Sequence, residues 1–127
     1  MKITNVIARF LLALIFLTFG LNGFLHFLPA PLPSGTAGQF VGALFVSNYL
    51  VVVFLLQIIA AVLLLINRYV PLALTLLAPI IVNILLFHML MAPSGLLLAM
   101  VVTMLWIVVF LSVRSAFAGL LQHRVPA

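Results

Sequence analysis

The chain has 127 residues, of which 69% are hydrophobic and only 4% are charged. Soluble domains carry about a quarter charged residues, so this composition excludes an ordinary water-soluble core and favours a protein that lies in a bilayer. The absence of Asp, Glu and Cys excludes side-chain carboxylates as general bases or ligands of hard metal ions, and it excludes disulfides and thiolate metal sites.

The first apolar stretch covers residues 6–28 and begins near Lys2 and Arg9. A secretory signal peptide also combines cations with an apolar run, but its apolar core is about 7–15 residues long and leads to a small-residue cleavage site. This stretch is longer than such a core, and no clean site of that kind follows it. We therefore expect a retained transmembrane helix.

A proline-rich connection follows the first stretch. Pro29, Pro31 and Pro33 are expected to end the helix, and the small residues 34–38 to form a turn. Beyond the turn, apolar and polar residues alternate at helical spacing, which predicts a short amphipathic helix in the membrane interface. Its apolar residues are Phe40, Val41, Leu44 and Phe45, and its polar side has Gln39, Gly42 and Asn48.

Three further apolar stretches cover residues 49–66, 71–91 and 95–113. All four are about 18–23 residues long, enough at ~1.5 Å per residue to cross a ~30 Å hydrocarbon layer. None alternates strictly between apolar and polar residues, as a strand would. The sequence therefore predicts an all-α fold, a single transmembrane domain over residues 1–127 that forms an integral membrane four-helix bundle.

The cations predict the orientation of this bundle. Lys2 and Arg9 lie at the start of the first stretch, Arg68 lies between the second and third, and Arg114 and Arg124 follow the fourth. With four spans, all five cations fall on one side, so we expect both termini in the cytoplasm. Single cations at the ends of apolar stretches indicate contacts with the lipid bilayer and no nucleic-acid partner.

Each predicted span carries one hydrogen-bonding side chain at a similar depth. Asn22, Gln57, Asn83 and Thr103 are expected in one layer, roughly 9–12 Å beneath the outer interface. Two interpretations remain open. The four groups join helices to one another, each bond contributing about 0.6–2 kcal/mol, or they line an outward-opening pocket for a ligand with carbonyl or hydroxyl groups.

Two histidines are predicted nearer the outer surface, His26 in the first span and His88 in the third. They are interfacial side chains in contact with headgroups, or candidate catalytic groups that exchange protons near neutral pH. Axial haem ligation is disfavoured, because all cations that would pair with propionates lie on the opposite side. Trp106 lies too deep for an interfacial belt, so its indole N–H needs a partner on another helix, and we include Trp106 among the candidate ligand-binding residues.

Several segments resemble the small four-helix DoxX-type membrane proteins. They are Ala8-Arg9-Phe10-Leu11-Leu12, the residues from Phe19-Gly20-Leu21-Asn22 to Pro29, Ser47-Asn48-Tyr49-Leu50, Asn67-Arg68-Tyr69-Val70-Pro71 with Leu72-Ala73-Leu74, and Pro79-Ile80-Ile81-Val82-Asn83 with Ile84 to His88. The resemblance covers nearly the whole chain. It implies four transmembrane helices in a bacterial cytoplasmic (inner) membrane, and some relatives are linked to quinone-coupled oxidation or redox-stress complexes.

The resemblance makes a quinone-interacting subunit of a membrane redox system the first functional expectation. Members often carry a glutamate where this chain has Gln57, so a proton step at that position is in doubt, because an amide does not titrate. We expect no covalently bound cofactor and no metal, and a redox partner protein would have to supply electrons. The alternative is non-catalytic: a carrier for a small neutral or lipidic solute, or a scaffold for a partner protein. The sequence does not decide whether the chain is an enzyme.

Overall fold

The computed structural model describes residues 2–29 and 31–126, and within these ranges every regular element is helical. The all-α prediction is thus confirmed for the described part of the chain. Two short 3₁₀ segments, Pro93–Gly95 and Arg114–Leu121, flank the last long helix. The α-helices are α1 (Ile3–Leu25), α2 (Gly35–Val46), α3 (Tyr49–Leu65), α4 (Val70–Leu90) and α5 (Leu96–Ser112).

Three helical segments are long and apolar enough to cross a membrane, namely α1, α4, and α5 together with the 3₁₀ turn before it. A fourth is added if α3, which has 17 residues, is counted together with α2. The observed bounds follow the predicted ones within about three residues. The largest differences are at α1, which begins three residues before the predicted residue 6 and ends three residues before the predicted residue 28. His26 adopts the left-handed conformation with φ of 53° and ends the helix there.

The four longer helices pack in a ring. α1 contacts α3 and α5, and α4 contacts the same two helices from the other side. Small residues allow this close approach, since Ala13, Ala60, Ala61 and Ala73 are completely buried. The large buried core side chains are Leu12, Phe16, Leu64, Val70, Leu74, Leu77, Ile81, Val102 and Val109.

Glycine is required where α1 crosses α3. A Cβ on Gly23 would overlap the Phe54 ring, and a Cβ on Gly20 would lie 2.8 Å from Ile58 and 3.3 Å from the Phe54 carbonyl oxygen. The two backbones are therefore closer here than side chains at these positions would permit. Phe24 also meets Phe54 edge to face, with 6.2 Å between ring centroids, so this crossing sets the position of Phe54.

A buried arginine joins the start of α1 to the end of α3. Arg9 is only 8% exposed, and its Nη1 donates hydrogen bonds to the carbonyl oxygen of Leu64 and, at 3.5 Å, to that of Leu65. Carbonyl groups in the last turn of a helix lack partners within the helix, and the helix dipole favours a cation there. Arg9 thus completes the last turn of α3.

The helix between the first two long helices is present, and its axis makes an angle of 84° with that of α3. Gly38 packs so closely on the Pro33 carbonyl that a Cβ would overlap it. Phe40 stacks on Phe87 of α4, with 5.8 Å between centroids. These contacts hold α2 across one end of the ring instead of along it.

Candidate functional site

A cavity of about 690 Å³ lies at the end of the helix ring that α2 covers. Its walls come from the second half of α1, the first half of α3, the end of α4 and the start of α5, and residues 31–33 and α2 lie over it. The five cations lie near the opposite helix ends or in the C-terminal segment beyond them, so among the described residues no Lys or Arg lines the cavity. It is large enough for a ligand of the size of a substituted ring.

The lining is mainly apolar and rich in aromatic side chains. Most of its surface comes from aliphatic groups and from Phe16, Phe19, Phe45, Phe54 and Phe87. Flat rings on several walls favour a flat, apolar ligand, because such a ligand buries large areas against them. Only four lining residues bring stronger hydrogen-bonding groups, and all four are residues that the sequence had indicated: Asn22, His26, Gln57 and His88.

Gln57 is the buried polar group of the cavity. It is 7% exposed, and its Oε1 has no hydrogen-bond partner among the described residues. Leaving a buried acceptor unpaired costs about 1–3 kcal/mol. Because protein atoms cover this oxygen, a bound donor recovers that loss when the amide turns to present Oε1 to the cavity. α3 places the side chain at this point opposite Gly20, where the absence of a Cβ on α1 leaves room for it.

Asn22 already accepts hydrogen bonds from neighbouring residues of the protein. Its Oδ1 accepts a hydrogen bond from the backbone N–H of Leu28 at 2.7 Å, which ties the connection back onto α1. The backbone N–H of His26 also donates to the Asn22 carbonyl, at 2.9 Å. The amide nitrogen of Asn22 is not used by these bonds and can donate to a ligand. His26 is exposed at the edge of the cavity.

His88 has a defined tautomer because of its neighbour. Its Nδ1 lies 2.9 Å from the Ala92 carbonyl oxygen, and since a carbonyl only accepts, the neutral ring carries its proton on Nδ1. Nε2 is then an acceptor. The ring also meets Phe87 edge to face, at 5.1 Å, and rests on Gly95 with no room for a Cβ between them.

We predict that Gly95→Ala displaces the His88 ring and breaks the contact between Nδ1 and Ala92. Nitrogen NMR of selectively labelled histidine should show the Nδ1–H tautomer of His88 in the parent protein and a mixture of tautomers in the variant. His26, whose ring makes no hydrogen bond to another described residue, serves as the internal control. Unchanged His88 signals would contradict the described packing.

The other three candidate residues, Asn83, Thr103 and Trp106, do not line the cavity, so the structure does not bring them together with the four that do. Thr103 is half-buried, and its hydroxyl donates to the Ala99 carbonyl of its own helix at 2.8 Å. Trp106 donates from Nε1 to the Leu74 carbonyl of α4 at 3.0 Å, so its predicted partner on another helix is confirmed.

Asn83 departs furthest from the expectation. It is exposed on the outer face of α4, and its Nδ2 donates to the Pro79 carbonyl at 2.8 Å. The reason is the angle between the two side chains around the helix axis. Asn83 and His88 are five residues apart, so they point about 140° away from each other. Only one of the two can face the cavity, and His88 does.

Sequence reasoning missed several features of the site. The aromatic lining was not distinguished from other apolar residues, although the pair Gly20 and Gly23 is a signal of close helix approach and thus of a ring packed against α1. Arg9 was interpreted only as an orientation signal and a contact to lipid. Its position inside an apolar stretch, nearly two turns from Lys2, was a clue that it needs partners within the fold.

Comparisons with protein-family models, with curated proteins and with solved structures find no match to this chain. The chemistry of the cavity is therefore inferred from its own residues.

Proposed function

We propose that this protein is a multi-pass membrane protein that binds a quinone and its reduced quinol in the cavity, as a subunit of a membrane redox system. In this proposal α1, α3, α4 and α5 cross the bilayer and α2 lies in the outer interface. Both termini are cytoplasmic, because the cations gather at that end. The resemblance to DoxX-type proteins supports the placement in a bacterial inner membrane.

The observation that supports this choice of ligand is the unpaired Oε1 of Gln57 in an uncharged, mainly apolar cavity. When the Gln57 amide turns toward the cavity, a quinol hydroxyl donates a hydrogen bond to this oxygen. A quinone has only acceptor oxygens, and these are met by the N–H groups of the Gln57 and Asn22 amides. An amide can therefore serve both oxidation states, whereas the aromatic walls hold the ring and apolar surface holds the isoprenoid tail.

The histidines supply the proton exchange that quinone chemistry needs. Nε2 of His88 is an acceptor in the neutral ring, and exposed His26 is open to the outer aqueous phase. The amide of Gln57 does not titrate, so the proton pathway runs through the imidazoles. A partner redox protein donates or accepts the electrons.

The test is binding of a short-chain quinol and quinone to the protein in lipid nanodiscs. We expect Gln57→Met, which keeps the length of the side chain, to weaken quinol binding about tenfold, the loss of one hydrogen bond of about 1–1.5 kcal/mol. Thr103→Val is the matched control, since Thr103 lies at a similar predicted depth outside the cavity. Equal quinol affinity of Gln57→Met and the parent protein, or no binding by the parent protein, would reject the proposal.

A carrier for a neutral lipidic solute with a hydroxyl group is the second candidate. The uncharged lining favours it equally, because such a solute also presents a donor to Gln57. Flux in proteoliposomes separates the two, since a quinol-binding subunit without transport function moves no solute on its own. Loss of flux in Gln57→Met, with retained flux in Thr103→Val, would favour the carrier.

A further inference from the structure

We propose that two copies of this chain associate in the membrane through the outer face of α4, with the Asn83 amides of the two copies hydrogen-bonded to each other. This proposal is independent of the ligand in the cavity. It starts from an exposed amide in the interior of α4, a helix that is long and apolar enough to cross a membrane. In a bilayer, lipid alone does not satisfy such a group.

Asn83 lies well inside α4, which runs from Val70 to Leu90. Its Nδ2 uses one hydrogen for the Pro79 carbonyl, which leaves the second amide hydrogen and Oδ1 available. The short side chain cannot reach the headgroups from this depth, and hydrocarbon offers no hydrogen-bond partner. In contrast, exposed Thr75 on the same helix has its hydroxyl satisfied by the Pro71 carbonyl at 2.8 Å.

The surroundings of Asn83 form a continuous face. At 100° per residue, the exposed residues of α4 fall within an arc of about 120°. This outer face of α4 consists of Leu72, Thr75, Pro79, Val82, Asn83, Leu86, Met89 and Leu90. The spacings between positions 72, 75, 79, 82, 86 and 89 alternate between three and four, which is the pattern by which two helices pack side by side.

The partner that suits the outer face of α4 is a second copy of this chain. A carboxamide carries a donor and an acceptor, so two Asn83 amides related by a twofold axis satisfy each other reciprocally. Any other partner would need a donor and an acceptor at the same depth, whereas a second copy necessarily has them. The face carries no charge, so nothing opposes contact between identical surfaces.

The experiment measures association of the full chain in lipid bilayers by single-molecule photobleaching over a range of protein-to-lipid ratios. We expect dimers for the parent protein and at least about a tenfold lower association constant for Asn83→Leu. Asn83→Gln, which keeps the amide, should restore part of the association. Thr75→Val is the matched control on the same face and should behave like the parent protein, because its hydroxyl is already bonded within the helix.

Cross-linking locates the interface independently, and it is clean because the chain has no Cys. Leu86→Cys on the outer face of α4 should form a disulfide-linked dimer on oxidation in membranes. Met104→Cys on α5 should not, although Met104 is 65% exposed. A monomeric parent protein, an unchanged association constant in Asn83→Leu, or cross-linking at position 104 with none at position 86 would each overturn the proposal.

Discussion

Gly23→Val is expected to abolish ligand binding in the cavity and to lower the free energy of unfolding by about 1–3 kcal/mol. The cause is the crossing of α1 and α3. A side chain at position 23 would occupy the space of the Phe54 ring, which lines the cavity and packs edge to face on Phe24. The ring must turn away from α1, and the open space available to it is the cavity.

Two measurements separate the effects of Gly23→Val. Quinol titration in nanodiscs reports on the cavity, and denaturation in mixed micelles reports on stability. Gly42→Val is the matched control, because a Cβ at Gly42 meets only Leu32 Cδ2 at an ordinary 3.9 Å. If Gly23→Val binds ligand with the affinity of the parent protein, Phe54 does not limit the cavity and the described crossing is wrong.

Arg9→Met is expected to lower the free energy of unfolding by about 1.5–3 kcal/mol, the usual contribution of hydrogen bonds to a charged group. The variant keeps an apolar chain of similar length. It removes the donor to the Leu64 and Leu65 carbonyls and the cation that opposes the negative end of the α3 dipole. Leu64 retains a 3.3 Å hydrogen bond from the Asn67 backbone, so the loss stays within this range.

Denaturant titration of the protein in mixed micelles measures the loss in Arg9→Met. Arg9→Lys keeps the positive charge but has fewer donors, so it should fall between the parent protein and Arg9→Met. Arg114→Met, at an exposed position after α5, is the control for charge alone. Equal losses in Arg114→Met and Arg9→Met would show that net charge, and not the contact with α3, explains the effect.

These two predictions act on opposite ends of a polarised molecule. The cation-bearing end is densely packed: Leu12, Leu64 and Leu74 are completely buried there, and Arg9 closes the end of α3. The other end holds the cavity beneath α2. Dense packing at one end and a cavity at the other allow a ligand site to exist without loss of the whole fold, since stability is not uniform across a structure.

The amino-acid sequence by itself determined the helical class, the helix bounds within about three residues, and the side on which the cations gather. These features depend on local composition and on spacing along the chain, which sequence patterns record directly. It also indicated the four polar residues that line the cavity, because an amide or imidazole in an apolar stretch is rare. The end of α1 was missed by three residues, since a left-handed His26 follows no strong sequence rule.

Only the tertiary structure decided which polar residues meet. Asn22, Gln57 and His88 lie on three different helices, and their convergence depends on the rotation of each helix about its axis. That rotation is set by contacts such as Gly23 with Phe54 and Arg9 with Leu64, which join residues far apart in the sequence. The position of a residue along a helix follows from counting residues. The direction of its side chain does not, because each residue is rotated by 100° from the one before it, and a small uncertainty in the rotation of the helix changes which neighbour the side chain meets. Asn83 therefore lies on a face of α4 that the sequence did not indicate.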